Sequence, residues 1–110
     1  MADMDKETQE KIQELQGLEQ NLHALLMQKQ AFQMELTETE NALTEISRSN
    51  DEVFKLVGSI MIKADKKTVS EELKKKQELL SLRLKSMETQ EKDFSTKAEE
   101  LKKEVMKKIN

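Results

Sequence analysis

The strongest constraint on the fold is a pair of heptad repeats with a short β-branched segment between them. In the first arm, at about residues 6–50, eight of ten seam positions are apolar. These a and d positions are Leu15, Leu18, Leu22, Leu25, Lys29, Phe32, Leu36, Thr39, Leu43 and Ile46. In the second arm, residues 66–110, the seam is poorer and holds Ser70, Leu73, Gln77, Leu80, Leu84, Met87, Glu91, Phe94, Ala98, Leu101 and Val105. Apolar residues at this spacing predict two long coiled-coil helices.

Composition argues against a compact globular enzyme. Charged residues make up 37% of the 110 residues and hydrophobic residues 35%, and the only aromatic residues are three phenylalanines. So few large apolar side chains cannot fill a globular core at native density. The chain has no proline to interrupt a helix, and no cysteine for a disulfide or a thiolate metal site. We therefore expect a mainly α fold.

The two arms also fit each other as an antiparallel pair. When the chain is folded with its midpoint on Gly58, every a position of the first arm faces a d position of the second. Antiparallel coiled coils need this alternation. In this register the polar Thr39 faces the polar Gln77, and the weak layers are Lys29 opposite Met87 and Leu25 opposite Glu91. The sequence predicts a long antiparallel coiled-coil helical hairpin within one chain.

The centre of the chain departs from the helical period. Two short runs rich in valine and isoleucine, 53–57 and 60–64, flank the pair Gly58-Ser59. Such runs around a glycine-containing pair predict a β-hairpin within a linker at 51–65. The alternative is a helix-to-helix loop that packs under its own arms.

Polar residues beside this linker predict the helix ends. Asn50 suits a left-handed cap at the end of the first helix. For the second helix, Thr68-x-x-Glu71 has the form of a capping box, and Asp65 is a second candidate N-cap.

A two-stranded hairpin is marginally stable by itself, and this one would expose apolar side chains and open strand edges. Hairpins of several subunits that join into one sheet or barrel would remove those edges. We therefore expect the hairpin to assemble with those of other subunits into such a sheet or barrel. The residues predicted to mediate this oligomerisation are Val53, Phe54, Leu56, Val57, Gly58, Ile60, Met61 and Ile62.

Charge is distributed unevenly along the chain. Residues 1–65 hold 6 Lys/Arg against 13 Asp/Glu, whereas residues 66–110 hold 13 against 9. An acidic half followed by a basic half favours pairing between the two halves. Nucleic-acid binding by the basic half is the competing interpretation, but only Phe94 in that half offers an aromatic ring for base stacking.

The sequence lacks the motifs of catalytic, cofactor-binding and metal sites. His23 is the only histidine and falls at an outer helix position, and Gly17 and Gly58 cannot form a phosphate-binding loop. We predict a non-enzyme without a cofactor. Because no apolar run reaches about 18 residues and the N-terminal residues are polar, we expect a cytoplasmic protein that does not bind a membrane. Because the basic half offers only one aromatic ring, we also expect no binding to nucleic acid.

Several motifs extend over nearly the whole chain and carry a family resemblance. They are Gln28-Lys29-Gln30, Glu38-x-x-x-Ala42-Leu43-x-Glu45-Ile46, the run from Val53 to Lys63, Glu71-Glu72-Leu73, Leu82-Arg83 and Gln90-Glu91. With these motifs the chain resembles the beta-class subunits of prefoldin, a chaperone family. The central run is the most specific of them. One departure is Phe54, which stands where a tyrosine is common in the family.

The resemblance implies both assembly and function. In prefoldin, two alpha-class and four beta-class subunits join their hairpins into a β-barrel platform that carries the coiled coils. Non-native proteins are held at the coil tips without ATP and are transferred to a group II-type chaperonin. Residues 1–110 would then form a single prefoldin-like domain of an ATP-independent holdase. The alternative function is a coiled-coil adaptor or scaffold without client-holding activity.

The tip of the coiled coil contains both chain termini and several apolar residues. The residues predicted there for client binding are Ile12, Leu15, Leu18, Leu101, Val105, Met106 and Ile109. The alternative is that these side chains only close the seam. A neighbouring basic cluster, predicted for chaperonin docking, consists of Lys102, Lys103, Lys107 and Lys108. The same lysines would also complement the helix macrodipole.

The outer face of the first arm carries a further pair of apolar residues, Met27 and Met34. They form either a second contact stripe or part of an ordinary surface, because scattered exposed apolar residues are normal.

Overall fold

The computed structural model describes residues 5–109, which form a helix, two strands and a second helix. Helix α1 runs Lys6–Arg48, strand β1 Val53–Val57, strand β2 Ile60–Ala64 and helix α2 Lys66–Ile109. The predicted mainly α fold with a central β-hairpin is confirmed. The alternative of an irregular loop between the arms is wrong.

Both helices begin at the same local motif, Asp-Lys-x-Thr. At α1 the Thr8 N–H donates to Asp5 Oδ1 at 2.7 Å, and at α2 the Thr68 N–H donates to Asp65 Oδ2 at 3.1 Å. Each aspartate satisfies a backbone N–H that the first helical turn leaves without a partner. Asp65 is therefore the N-cap of α2. The capping box predicted from Thr68 is wrong, because Thr68 is already the third residue of the helix.

Helix α1 ends without a left-handed residue. The Ser49 N–H still donates to a carbonyl of the last helical turn at 3.0 Å, and Ser49 Oγ accepts from the Asp51 N–H at 3.2 Å. Within 5–109, positive φ occurs only at Gly58, so the left-handed cap predicted at Asn50 is wrong. The Ser49 carbonyl also accepts a hydrogen bond from Lys66 Nζ at 2.6 Å, which ties the end of α1 to the start of α2.

The strands pair antiparallel, and Val57 lies opposite Ile60. Gly58 and Ser59 form the two-residue turn, with φ of +62° at Gly58 and no positive φ at Ser59. This combination is the type II′ pattern, which favours glycine at the first turn position. The midpoint of the hairpin therefore lies between Gly58 and Ser59 rather than on Gly58.

The predicted seam is the buried stripe of both helices. Every a and d position named above is buried or half-buried. Among the described residues, the side chains that are more than nine-tenths buried are Thr8, Leu25, Thr39, Leu80, Leu84, Met87 and Val105. A narrow stripe of this kind is what a two-stranded coiled coil buries.

The buried hydroxyl of Thr39 is satisfied by its own helix. Its Oγ1 donates to the carbonyl of Glu35 at 2.8 Å. Backbone carbonyls four residues earlier are common acceptors for threonine in helices. The hydroxyl proton is therefore used within α1, and the layer opposite Gln77 gains no hydrogen-bond donor from Thr39.

Internal contacts divide the chain into two compact units. We call the described residues 5–30 and 85–109 the terminal unit, and residues 31–84 the hairpin unit. Each unit contains a segment of α1 and a segment of α2. That the whole chain forms one domain stays a prediction.

Contacts between the helices within each unit support the predicted register. In the hairpin unit the guanidinium of Arg83 lies over the ring of Phe32, 5.6 Å from its centroid. Arg83 is next to Leu84, which the predicted register with its midpoint on Gly58 places opposite Phe32. In the terminal unit Lys11 Nζ lies 3.2 Å from Glu104 Oε2. The two helices are thus antiparallel neighbours, as expected.

Candidate functional site

The β-hairpin presents apolar side chains on both of its faces. Because side chains alternate along a strand, the pair Leu56 and Met61 lies on one face and the pair Val57 and Ile60 on the other. Leu56 and Met61 are 68% and 67% exposed. The exposed apolar residues of the hairpin are Phe54, Leu56, Val57, Ile60, Met61 and Ile62, while Val53 is half-buried. Both faces are open to a partner.

The two lysines of the hairpin are balanced by ion pairs. Lys55 Nζ lies 2.9 Å from Glu72 Oε2, and Lys63 Nζ lies 3.0 Å from Glu52 Oε1. Unpaired lysines on an edge strand normally discourage another chain from pairing with it. Here each lysine charge has a local counter-charge, so the hairpin surface is apolar and close to neutral.

The strand edges are open as well. The sheet of the described chain contains β1 and β2 and no further strand. Each strand therefore has one edge whose N–H and C=O groups face no neighbouring strand, and such an edge is a template for pairing with another chain.

The predicted client-binding residues lie in the terminal unit and differ in exposure. Met106 and Ile109 are 53% and 56% exposed, whereas Val105 is only 7% exposed and closes the seam. The half-buried residues are Ile12, Leu15, Leu18 and Leu101. Met106 and Ile109 thus offer the accessible apolar surface in this conformation. A client role for all seven residues stays a prediction.

The predicted basic cluster divides into two parts. Lys108 Nζ lies 3.7 Å from Asp5 Oδ2. The three remaining lysines, Lys102, Lys103 and Lys107, make no ion pair with any of residues 5–109. Docking of these lysines on a chaperonin stays a prediction.

Ion pairs and hydrogen bonds in the terminal unit shift the pKa values of Asp5 and Lys11. Hydrogen bonds from Thr8 lower the pKa of the Asp5 carboxyl below its usual value, and the positive charge of Lys108 adds to this effect. A hydrogen bond to Glu104 raises the pKa of the Lys11 ammonium. Both shifts favour the charged forms of these side chains.

An ion pair within the seam was not predicted from the sequence. Lys29 Nζ lies 2.9 Å from Glu91 Oε2, and the two side chains are 29% and 30% exposed. These residues come from the two layers that looked weak, and their apolar partners Met87 and Leu25 are both buried. Opposite charges in adjacent layers of the predicted register were the signal for this pair. The hydrogen bond to Glu91 raises the pKa of Lys29.

Further exposed apolar residues lie on the outer helix faces. Met27 and Met34 are exposed on α1, and a contact role for them stays a prediction. Leu79 and Leu82 are exposed on α2 and were not predicted from the sequence as surface contacts. Their positions outside the a and d pattern were the available signal.

A metal site in this chain would need several histidine or carboxylate side chains that converge on one point. No cluster of three or more such residues occurs within 5–109, and His23 is exposed. Neither of the two described helices has the length and apolar character needed to cross a membrane.

Comparison with known proteins decides the family. The family model for the prefoldin subunit matches residues 9–110. The chain belongs to the prefoldin subunit family. The prefoldin beta subunit of Thermococcus onnurineus strain NA1 is 39% identical over 103 residues, which cover 92% of this chain and 89% of the relative. That of Sulfurisphaera tokodaii is 37% identical over 101 residues, which cover 90% and 81% of the two chains.

A solved prefoldin structure matches the fold as well. The crystal structure of the prefoldin beta subunit from Thermococcus strain KS-1 has a TM-score of 0.88 and 35% sequence identity. The match covers 97% of this chain and 96% of the crystallised one. The resemblance to beta-class prefoldin subunits is therefore confirmed, and with it membership of a chaperone family.

Proposed function

We propose that the chain is a cytoplasmic subunit of an ATP-independent holdase chaperone, which binds unfolded proteins and transfers them to a group II-type chaperonin. The observation that best supports this proposal is the exposed apolar hairpin, whose lysine charges are balanced, in a chain of the prefoldin family. No catalytic step or cofactor is required, because holding a client needs only accessible apolar surface.

The hairpin is the assembly element of this proposal. Burying one exposed leucine or isoleucine contributes roughly 1.5–3 kcal/mol, and each hairpin exposes several such side chains. Association costs on the order of 4–15 kcal/mol in lost freedom, which burial of several hairpins offsets. The partners are alpha-class prefoldin subunits and further beta-class copies, in the ratio of two alpha to four beta, with their strands joined into a β-barrel.

The terminal unit is the client-binding element. Met106 and Ile109 are exposed there, and a methionine side chain adapts its shape to varied apolar partners. One such contact is weak and exchanges rapidly. Several arms that contact the same unfolded chain at once give useful affinity through multivalency. The half-buried neighbours Ile12, Leu15, Leu18 and Leu101 would add contacts where the helix ends fray.

An aggregation assay tests the proposal. A chemically unfolded enzyme is diluted with and without this chain, which has first been mixed with an alpha-class subunit, and light scattering is followed without ATP. We expect suppressed scattering and a particle mass of six chains. Aggregation that continues in the presence of a well-formed oligomer would contradict the holdase function and favour the adaptor or scaffold alternative.

Two sets of variants separate assembly from holding. Leu56→Lys with Ile60→Lys places charges on both faces of the hairpin and should abolish the oligomer while helical circular dichroism is retained. Met106→Ser with Ile109→Ser should leave the oligomer intact and weaken holding. Leu79→Ser with Leu82→Ser is the matched control, because it removes two other exposed apolar residues of α2. Equal loss of holding in both serine pairs would contradict a role specific to Met106 and Ile109.

Transfer is tested with the same particle. A client held by the particle should pass to a group II-type chaperonin and be recovered bound to it after size separation. A client that stays on the particle in the presence of excess chaperonin would contradict the transfer step alone.

A further inference from the structure

The exposed face near the end of α2 combines an apolar side chain with an excess of positive charge. Met106 is more than half exposed, and Glu99, Lys102, Lys103 and Lys107 surround it in a shallow depression. Their spacing places all five side chains on one helix face. We call these five residues the Met106 patch. Three lysines against one glutamate give it a net charge of +2.

The three lysines of the patch are available to a ligand. Their neighbour Lys108 has an acidic partner, since its Nζ lies 3.7 Å from Asp5 Oδ2. Lys102, Lys103 and Lys107 have no such partner within the described range 5–109. An anionic ligand can therefore pair with these ammonium groups without first breaking an ion pair within residues 5–109.

The helix macrodipole explains only part of this arrangement. Its favourable effect on cations is confined to about the last turn of a helix, where Lys107 and Lys108 lie. Lys102 and Lys103 lie further from the end of α2. The helix dipole also does not account for the exposure of the uncharged Met106 side chain among these lysines. An adaptable apolar group surrounded by positive charge suits a ligand that offers both an apolar group and negative charge.

We propose that the Met106 patch selects clients by binding unfolded segments in which apolar residues are flanked by aspartate or glutamate. This inference rests on the proposed holdase function and names its preferred substrate class. The Met106 thioether packs against the apolar residue of the client, and the lysine stems widen that apolar surface. The ammonium groups then lie beside the flanking carboxylates. An unfolded segment flanked by lysines meets like charges at the same place.

Two labelled peptides test this selection on the assembled particle. One contains leucine and phenylalanine flanked by glutamates, and its twin has lysines in place of the glutamates. Fluorescence anisotropy at low salt should show about tenfold tighter binding of the glutamate peptide, because three exposed charge pairs each contribute modestly. In the triple variant Lys102→Gln, Lys103→Gln and Lys107→Gln, the two peptides should bind with about equal affinity.

A matched variant controls for overall charge. Lys67→Gln, Lys74→Gln and Lys75→Gln remove the same charge from exposed positions of α2 in the hairpin unit. This control should keep the tenfold preference. Equal binding of the two peptides by the unaltered particle would overturn the inference, and so would loss of the preference in the control variant.

The remaining outcomes separate this inference from the proposed function. A triple variant that keeps the peptide preference but loses salt-dependent affinity for the chaperonin would assign the lysines to chaperonin docking and overturn client selection. A particle that suppresses aggregation but shows no peptide preference would leave the holdase function standing without this selection. A particle that does neither would contradict both proposals.

Discussion

Lys29 Nζ and Glu91 Oε2 form a 2.9 Å ion pair that joins α1 to α2 inside the predicted seam. Each residue alone would be a polar interruption of an apolar stripe. Together they occupy adjacent layers, and the apolar members of those layers, Leu25 and Met87, are buried. A single polar contact of this kind favours one register of a coiled coil over its neighbours.

Charge reversal tests this register role. Lys29→Glu alone should lower the melting temperature at neutral pH, because it places two carboxylates beside each other in a partly desolvated seam. The double variant Lys29→Glu with Glu91→Lys should recover most of the loss, since it restores an opposite-charge pair. Thermal unfolding followed by circular dichroism at fixed protein concentration measures both. A double variant no more stable than the single one would contradict a direct pairing.

The same pair predicts a loss of stability at alkaline pH. The hydrogen bond to Glu91 raises the pKa of Lys29 above its usual value of 10.5. Stability gained from a raised lysine pKa is complete below the usual value and is lost as the pH rises through the raised one. The difference in melting temperature between the unaltered chain and Lys29→Met should therefore shrink above about pH 10.5. A difference that stays constant to higher pH would contradict this assignment.

The two glycines should respond in opposite directions to alanine. Gly58 has a φ of +62°, so Gly58→Ala should destabilise the hairpin by about 1–2 kcal/mol. Gly17 lies within α1, and a Cβ added there meets nothing within 4 Å. Gly17→Ala should therefore stabilise the chain by about 1 kcal/mol through helix propensity. Chemical unfolding measures both, and a shift of the same sign in the two variants would contradict the conformational argument.

The N-cap of α2 predicts a graded response at Asp65. Asp65→Ala removes the acceptor of the Thr68 N–H and should cost about 1 kcal/mol. Asp65→Asn keeps an acceptor oxygen and should cost much less. If the alanine and asparagine variants unfold at the same denaturant concentration, the side chain of Asp65 does not act as a cap.

The pattern of apolar residues was enough to predict the helices, the seam and the hairpin. A seven-residue repeat allows one narrow face to be buried, and the β-branched run around Gly58 breaks that repeat. The antiparallel register also followed, because it had to match a positions with d positions along the whole length. These features depend on many residues at once, so single exceptions such as Thr39 do not disturb them.

Local features were predicted less well because they depend on one or two atoms. Asn50 and Thr68 both have suitable chemistry for a cap, yet Asp65 supplies the N-cap of α2, while Ser49 Oγ accepts a hydrogen bond just beyond α1. Asp65 was one of two candidates for that cap, and the motif Asp-Lys-x-Thr, which occurs at both helix starts, would have identified Asp5 as well.

In the terminal unit the sequence predicted exposure but not ion pairing. A heptad assigns Val105 to a seam position and leaves Met106 and Ile109 outside it, and the observed exposures follow that assignment. The heptad does not say which lysines find acidic partners. Lys108 pairs with Asp5, a contact that depends on how far each helix extends at its end.

The hairpin that is apolar on both faces has a consequence for how much of this chain a cell can make. A copy without partners presents bare strand edges and several large apolar side chains to every other protein. We expect surplus copies to self-associate or to be degraded, so that synthesis of this chain has to keep pace with that of its partners. The segment best suited to assembly thus limits the amount of this chain that can accumulate without its partners.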